Sequence, residues 1–335
     1  MTNQKTSKIS IIIPNLNGAH FLKNCLASLK AQTLTNFELI VVDNNSSDDS
    51  LELAKQEFPA AITHRFNKNE GFSRAVNQGV ALANSEYVFL LNNDTELEPH
   101  CLEEIVSFLD KNNQVSFGAT KMLYYHDHKI INNAGDTFSI YGVASRRGNQ
   151  EPDTGQYEVA MPVTGACAGA AFYRRSLLNE LGGFDEDFFA YIEDVDLSLR
   201  AQLLGHKCWY LPTAIVYHVD GGTSQKFKNF SFFLVARNNL YTIMKNFPAV
   251  IIIITAPFLL LSQIRNLING YRYHCFKLII KIYSDFFKNF NTLYQERKAI
   301  QKNRKINVWQ FWRILSKKNT FVIKKIFYDF FPHHN

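Results

Sequence analysis

Three times in the first hundred residues an unbroken apolar run stops abruptly at asparagine or aspartate. Ser10-Ile11-Ile12-Ile13 leads into Pro14-Asn15-Leu16-Asn17-Gly18, the strand-like Phe37 to Val42, apolar without a break from Leu39, ends at Asp43, and Tyr87 to Leu91 ends at Asn92-Asn93-Asp94. A short run that is apolar at every position reads as a strand buried on both faces, as in a parallel sheet covered by helices. Helical stretches follow the runs, from about Ala19 to Gln32, from the Ser46–Ser50 caps to Phe58, and from His100 to Leu109. A further short strand, Ile62 to Phe66, precedes the helix that opens at Asn69-Glu70-Gly71. In open α/β sheets the ligand crevice lies at the C-terminal ends of the strands, so Asn15, Asp43 and Asp94 are expected along one edge. An acid placed there can hold a divalent cation against a phosphate, although Asn-Asn-Asp is also an ordinary polar turn.

The chain has 335 residues, 46% of them hydrophobic, enough to bury the core of one large or two modest domains. Its formal charge of +6 conceals a division, because residues 262–335 hold 15 Lys and Arg against 3 Asp and Glu, leaving the rest net acidic. A basic tail of this kind points to an acidic surface. The five cysteines are scattered, odd in number and without a CxxC pair, which argues for a reducing compartment and against a zinc site. Met1 to Lys8 is polar and runs straight into a strand, so export is not expected. Ala249 to Leu261 is apolar but broken by Pro257, and even extended to Phe247–Ile264 it barely reaches spanning length. It reads as an interfacial or re-entrant segment.

Gly71 and Arg74 stand at the start of one helix, where exposed amides and a guanidinium suit an anion. From Val115 to Gln156 the pattern is irregular, and His126 and His128 read as exposed loop residues. Thr164 to Arg175 is rich in small residues, as expected where backbone approaches a ligand closely. Leu181 to Asp196 packs acids among aromatics ahead of a helix from Asp194 to Leu204. Asp196 with Arg200 is an i,i+4 structural pair. Asp194, at the helix start behind an aromatic run, can be partly desolvated and poised as a base. Two strands, Lys207–Tyr210 and Ile215–His218, then lead to the loop after His218.

Taken in order, PNLNG at 14–18, VVDNNSSDDS at 41–50, NEGFSRAVNQG at 69–79, LLNNDTEL at 90–97, GGFDEDFFAYIEDVDLSLRAQLLG at 182–205 and VYHVDGGTS at 216–224 form a set. The set resembles the family 2 inverting glycosyltransferases of GT-A fold, most of all the bacterial rhamnosyltransferases, over about residues 8–245. The resemblance implies an α/β fold with a Rossmann-like, mostly parallel central sheet flanked by helices. It implies that Pro14, Asn15, Asp43 and Arg74, with Asn92 and Asn93 at the strand end, bind a nucleoside diphosphate sugar. Asp94 and His218 would hold Mg²⁺ or Mn²⁺, and Asp194 would be the catalytic base. Asn92 departs from the pattern, since many relatives carry Asp there.

On this reading residues 1–230 form the glycosyltransferase domain, and 231–335 a helical, basic, membrane-associating extension. The expected donor is dTDP-L-rhamnose, with UDP-hexoses or UDP-galactofuranose as alternatives. The expected acceptor is a saccharide or lipid-linked hydroxyl, used in cell-surface polysaccharide synthesis at the cytoplasmic face of the inner membrane. Anionic lipid, and no nucleic acid, is the expected surface partner. Two other classes compete: a nucleotidyltransferase, which wants a Lys-bearing Gly-rich loop that PNLNG lacks, and a non-catalytic module binding an anionic polymer. A chain ending near Asn246 is expected to keep donor binding, because every proposed donor and metal residue precedes position 225.

Overall fold

The computed structural model describes residues 7–219, 228–272 and 276–315. The first half alternates strands and helices: β1 (Ile9–Asn15), α1 (Ala19–Lys30), β2 (Glu38–Asp43), α2 (Ser50–Glu57), β3 (Ile62–Arg65), α3 (Phe72–Leu82), β4 (Tyr87–Leu91), β5 (Thr95–Leu97) and α4 (Cys101–Lys111). Next come β6 (Phe117–Tyr124), β7 (Asp127–Asn133), β8 (Asp136–Phe138), β9 (Ala144–Arg146), β10 (Met161–Val163), β11 (Ala170–Arg174), α5 (Arg175–Leu181), α6 (Glu193–Leu203) and β12 (Cys208–His218). Among the described residues, five helices follow: α7 (Lys228–Asn246), α8 (Ala249–Arg272), α9 (Phe276–Lys288), α10 (Phe290–Asn303) and α11 (Val308–Leu315).

The main sheet runs β10-β12-β6-β11-β4-β1-β2-β3, with β5 on β12 and β7 on β6. Strands β3, β2, β1 and β4 are parallel neighbours, whereas β11 lies antiparallel between β4 and β6. The unbroken apolar runs are explained by cover on both faces. Ile11, Ile13, Phe89 and Leu91 pack toward α1 and α4, while Ile12, Ile40, Val42 and Leu90 face α3 and the small residues of 166–171. Gly79 lets α3 approach, since a Cβ there would come 2.3 Å from Ile12 Cγ2.

Three sequence expectations change. First, β1 does not end at Ile13 but continues through Pro14 and Asn15, where only β2 is still alongside and a missing N–H is tolerated. Second, the two strands expected at 207–218 are one, β12, whose register on β6 shifts between Leu211 and Ile215. Pro212 and Thr213 interrupt the apolar pattern there without ending the strand. Third, the apolar stretch is not a broken thirteen-residue segment: Pro257 lies inside a continuous 24-residue helix, α8. An 18-residue part of it has mean hydropathy 1.8 and only 17% of it is buried, so by length and composition α8 could cross a bilayer.

The closing helices are packed onto the body. Phe311 and Leu315 of α11, with Phe247 and Ile251, share a core with Phe138, Val195 and Leu199. Arg297 of α10 donates to the Met244 and Phe247 carbonyls at 2.7 and 2.6 Å, satisfying the end of α7. A chain ended at Asn246 would therefore expose apolar surface around α6, which the sequence pattern alone did not reveal. The basic segment 321–328 and the loop 220–224 lie outside the described residues.

Candidate active site

Side chains at the ends of β1, β2 and β4 form one buried chain. The Asn93 amide donates to Asn15 Oδ1 at 2.6 Å, and Asn15 Nδ2 donates to Asp43 Oδ1 and to Ser46 Oγ, both at 3.2 Å. Asp43 is fully buried, accepts the Ser46 N–H at 3.0 Å and has Arg65 Nε 3.6 Å away. Pro14, also buried, precedes Asn15 in the strand. Gly18 is required where the loop crosses this chain, because a Cβ would fall 2.0 Å from Asn93 Nδ2. Beside it, an open hollow of about 470 Å³ is lined by His64, Arg65, Phe66, Lys68 and Glu70. Pro14, Asn15, Asp43 and Asn93 are thus brought together, and Arg65 joins them unforeseen.

Arg74 is placed differently from the simple anion site expected of it. Its guanidinium is 3.2 Å from Glu70 and 3.8 Å from Glu186, and it lies over the Phe66 ring. The amides of Phe72 and Ser73 already donate to the Phe189 carbonyl at 2.6 and 3.2 Å. The first two amides of α3 are therefore capped by protein, while the Arg74 side chain is half exposed.

Asp94 and His218 meet because β5 pairs with β12, setting Thr95 opposite His218. His218 Nε2 lies 3.4 Å from Asp94 Oδ1, and the Val219 N–H donates to the Asp94 carbonyl at 3.0 Å. Asn132 Oδ1 lies 3.2 Å from His218 Nδ1, within hydrogen-bond reach, and the other ring nitrogen, Nε2, faces Asp94. The two put a carboxylate oxygen and an imidazole nitrogen side by side. That donor pair fits Mn²⁺ or Mg²⁺ with a diphosphate completing the shell. Asn92 donates its backbone N–H to Gly169 at 2.9 Å, and its side chain rests against Gly169, where a Cβ would be 3.2 Å from Nδ2.

Asp194 stands at the start of α6. Its Oδ2 accepts the Ala168 N–H at 3.0 Å and its Oδ1 the Val195 N–H at 2.8 Å. Ala168 and Gly169 are consecutive, so one small-residue loop touches Asp194 on one side and Asn92 on the other. Burial raises the Asp194 carboxyl above the ordinary range, against the pull of these amides. Asp196, two residues on, is the opposite case: against burial, Lys245 and Arg200 hold its carboxyl low, and Arg200 Nε donates to it at 2.7 Å. It is structural, as its spacing indicated.

Two further carboxyls crowd Asp194. Ligand atoms of Asp136, Cys167 and Asp194 lie within 4.8 Å of one another. Asp136 is pushed up to about 7 by burial and by Asp194, and Glu193 well upward by the same causes. Burial also holds Cys167 in its thiol form, a poor ligand for a hard cation. Another acidic trio, Asp185, Asp187 and Glu296, faces Lys245. Asp136 escaped the sequence reading because it sits in the irregular stretch, tied to Gly165 only by long-range pairing at 2.8 and 3.1 Å. His128 lies exposed on β7 and stacks on Tyr217, ring centroids 3.7 Å apart.

The Glycosyl transferase family 2 profile matches residues 10–182, and the chain belongs to that family. The match stops short of Asp194 and His218. An uncharacterized glycosyltransferase of Nostoc sp., alr2836, is 38% identical over 102 residues, covering 30% of this chain and 32% of that protein. RT0329 of Rickettsia typhi, also an uncharacterized glycosyltransferase, is 26% identical over 195 residues, 58% of each chain. The chain thus spans less than two thirds of the length of both. A PGL/p-HBAD biosynthesis glycosyltransferase of Mycobacterium bovis is 28% identical over 198 residues, 57% of this chain and 68% of that one. The crystal structure of S. aureus TarS 1-349 superimposes with a TM-score of 0.50 at 16% identity, over 84% of this chain and 92% of that one. That likeness is one of fold, and the fold is GT-A.

The crowding of carboxyls predicts a pH signature. A raised carboxyl pKa means the folded protein binds a proton that the unfolded chain releases, so stability falls as pH rises toward 7. Asp136→Asn removes that penalty. Its thermal midpoint should exceed the parent's at pH 8, and the difference should shrink as pH falls below 7 and vanish near pH ~4. Equal shifts at pH 8 and pH 5 would show that Asp136 is ionised throughout.

Proposed function

We propose that this chain transfers a sugar from a nucleoside diphosphate sugar to an acceptor hydroxyl with inversion at the anomeric carbon. The observation that carries the proposal is the shared loop: Ala168 holds Asp194 while Gly169 holds the end of β4 beside Asp94. A base and an acid at the diphosphate position then flank one crevice, at the edge where the Asn15–Asp43–Asn93 chain lies.

In this mechanism Asp194 takes the proton from the acceptor hydroxyl as its oxygen attacks the anomeric carbon. The bond from that carbon to the donor phosphate breaks on the opposite face, and the nucleoside diphosphate leaves. A raised carboxyl pKa makes Asp194 a better base than an exposed aspartate. Asp94 and His218 would hold Mg²⁺ or Mn²⁺, which supplies Lewis-acid stabilisation of charge on the leaving phosphate. One carboxylate suffices because the leaving diphosphate is already acidic, unlike the alcohol released in glycoside hydrolysis. Pro14, Asn15, Asp43, Asn92, Asn93 and Arg74 bind the donor.

The lead donor is dTDP-L-rhamnose, on motif resemblance alone. An acceptor in cell-surface glycan synthesis is supported by relatives named for PGL/p-HBAD biosynthesis. A cytoplasmic, membrane-bound site is supported by the exposed apolar side chains of α8, with Ile253 73% and Leu260 63% exposed, close to a net basic tail.

Three results test the proposal, using a panel of nucleotide sugars with membrane extract as acceptor source. Asp194→Asn should keep donor affinity but lower turnover by about two to four powers of ten; near parental turnover would dismiss Asp194 as base. Asp94→Ala should weaken donor binding far more with Mn²⁺ present than with EDTA, whereas equal losses would mean that Asp94 acts through hydrogen bonds alone. Ile253→Glu combined with Leu260→Glu should abolish co-sedimentation with anionic vesicles while sparing donor binding. Undiminished sedimentation would place the membrane contact elsewhere.

A further inference from the structure

The segment leading into α6 is held in an unfavourable shape. Phe189, Tyr191 and Ile192 have positive φ of 64, 67 and 69°, which non-glycine residues avoid; Phe189 centres a tight turn in which the Ala190 N–H donates to the Phe188 carbonyl at 2.7 Å, and Ile192 is left-handed, a conformation that β-branched isoleucine avoids most of all. Such a segment persists only when its surroundings over-determine it. Ile192 is the residue before Glu193 and Asp194, and its carbonyl accepts the Asp196 N–H at 2.9 Å, so its conformation sets where the first turn of α6 points.

The restraint comes from α7. Asn238 is fully buried, and its Nδ2 lies 3.0, 2.9 and 2.7 Å from the carbonyl oxygens of Phe188, Ala190 and Tyr191. Three carbonyls converging on one point repel each other unless a donor stands between them; two N–H groups shared among three acceptors supply it. Arg237 orients that amide, since its Nε donates to Asn238 Oδ1 at 2.9 Å, which turns the NH₂ toward the loop. The Arg237 Nη2 also donates to the Asp187 and Phe188 carbonyls at 2.8 and 3.1 Å. The remaining carbonyl, Phe189, caps α3 on the opposite side.

We propose that Asn238, oriented by Arg237, is a positioning residue for the Asp194 carboxylate. It acts by holding the 188–192 loop in the one shape that aims the start of α6 at the crevice. This rests on Asp194 being the base. Neither Asn238 nor Arg237 touches substrate, so the consequence is on turnover and not on donor recognition.

The test is a double-mutant cycle on the full chain, with sites counted by binding of whichever nucleotide sugar of the panel supports turnover. Asn238→Ala should lower kcat per donor-binding site by about 10- to 100-fold, the scale of a misplaced reacting group, with donor affinity nearly unchanged. Arg237→Ala, on a half-buried residue, should give a smaller loss of the same kind and serves if the Asn238 variant does not fold. In the Asp194→Asn background each should cost nothing more, because they act through the group already removed. A parental kcat per binding site, or losses that multiply in the double variant, would overturn the proposal and leave a merely structural role. If Asp194→Asn alone kept parental turnover, the base assignment would fail instead, a result distinct from either.

Discussion

Buried polar groups at the ends of β1, β2 and β4 have to find partners inside the protein, and the architecture above the sheet follows from that requirement. An unpaired buried amide or carboxylate costs about 1–3 kcal/mol or more, so Asn15, Asp43 and Asn93 must bond to one another and to Ser46. The loops that satisfy them are drawn tightly over the strand ends, which is why Gly18 admits no side chain. Across β4, the same close approach recurs at Gly169 against Asn92. Side chains fixed in this way by mutual hydrogen bonds are already in place before any ligand arrives, which is what positioning of a reacting group demands.

The second constraint is a buried cation. Lys245 of α7 is 2% exposed and is faced by Asp185, by Asp196 at 3.6 Å and by Glu296 of α10 at 3.3 Å. Removing the Lys245 cation would leave these acids facing one another, Asp196 among them away from water, a penalty of several kcal/mol. Asn246 adds a bond to Asp196 at 2.7 Å. The ion cluster therefore ties α7 and α10 to the helix that carries Asp194. The extension's exposed apolar side chains on α8 are the portion left over for another surface.

The parallel half of the sheet was legible because burial on both faces writes itself as uninterrupted Ile, Val, Leu and Phe, and the strand ends were legible because polar residues interrupt those runs at the same relative place. Asp194 and Asp196 could be told apart by spacing, since only Asp196 has an arginine one turn on. What spacing could not show is anything settled by distant pairing. Asp136 depends on Gly165, Asn132 on His218, and Arg65 on Asp43, each across a turn or a neighbouring strand. Pro212 looked like a strand break and is a bulge; Pro257 looked like a helix break and is accommodated on an exposed face. The Phe189 carbonyl that caps the Phe72 and Ser73 amides of α3 was likewise invisible, a contact between residues more than a hundred positions apart.

In the proposed function one carboxylate, Asp194, drives a single displacement in which the donor phosphate leaves from the face opposite the attacking hydroxyl. The most direct measurement is the anomeric configuration of the transferred sugar, read by proton NMR on the first product formed from a donor of defined configuration. Inversion relative to the donor is the expected result. Retention would contradict it, since a single displacement from the face opposite the leaving phosphate cannot give that outcome.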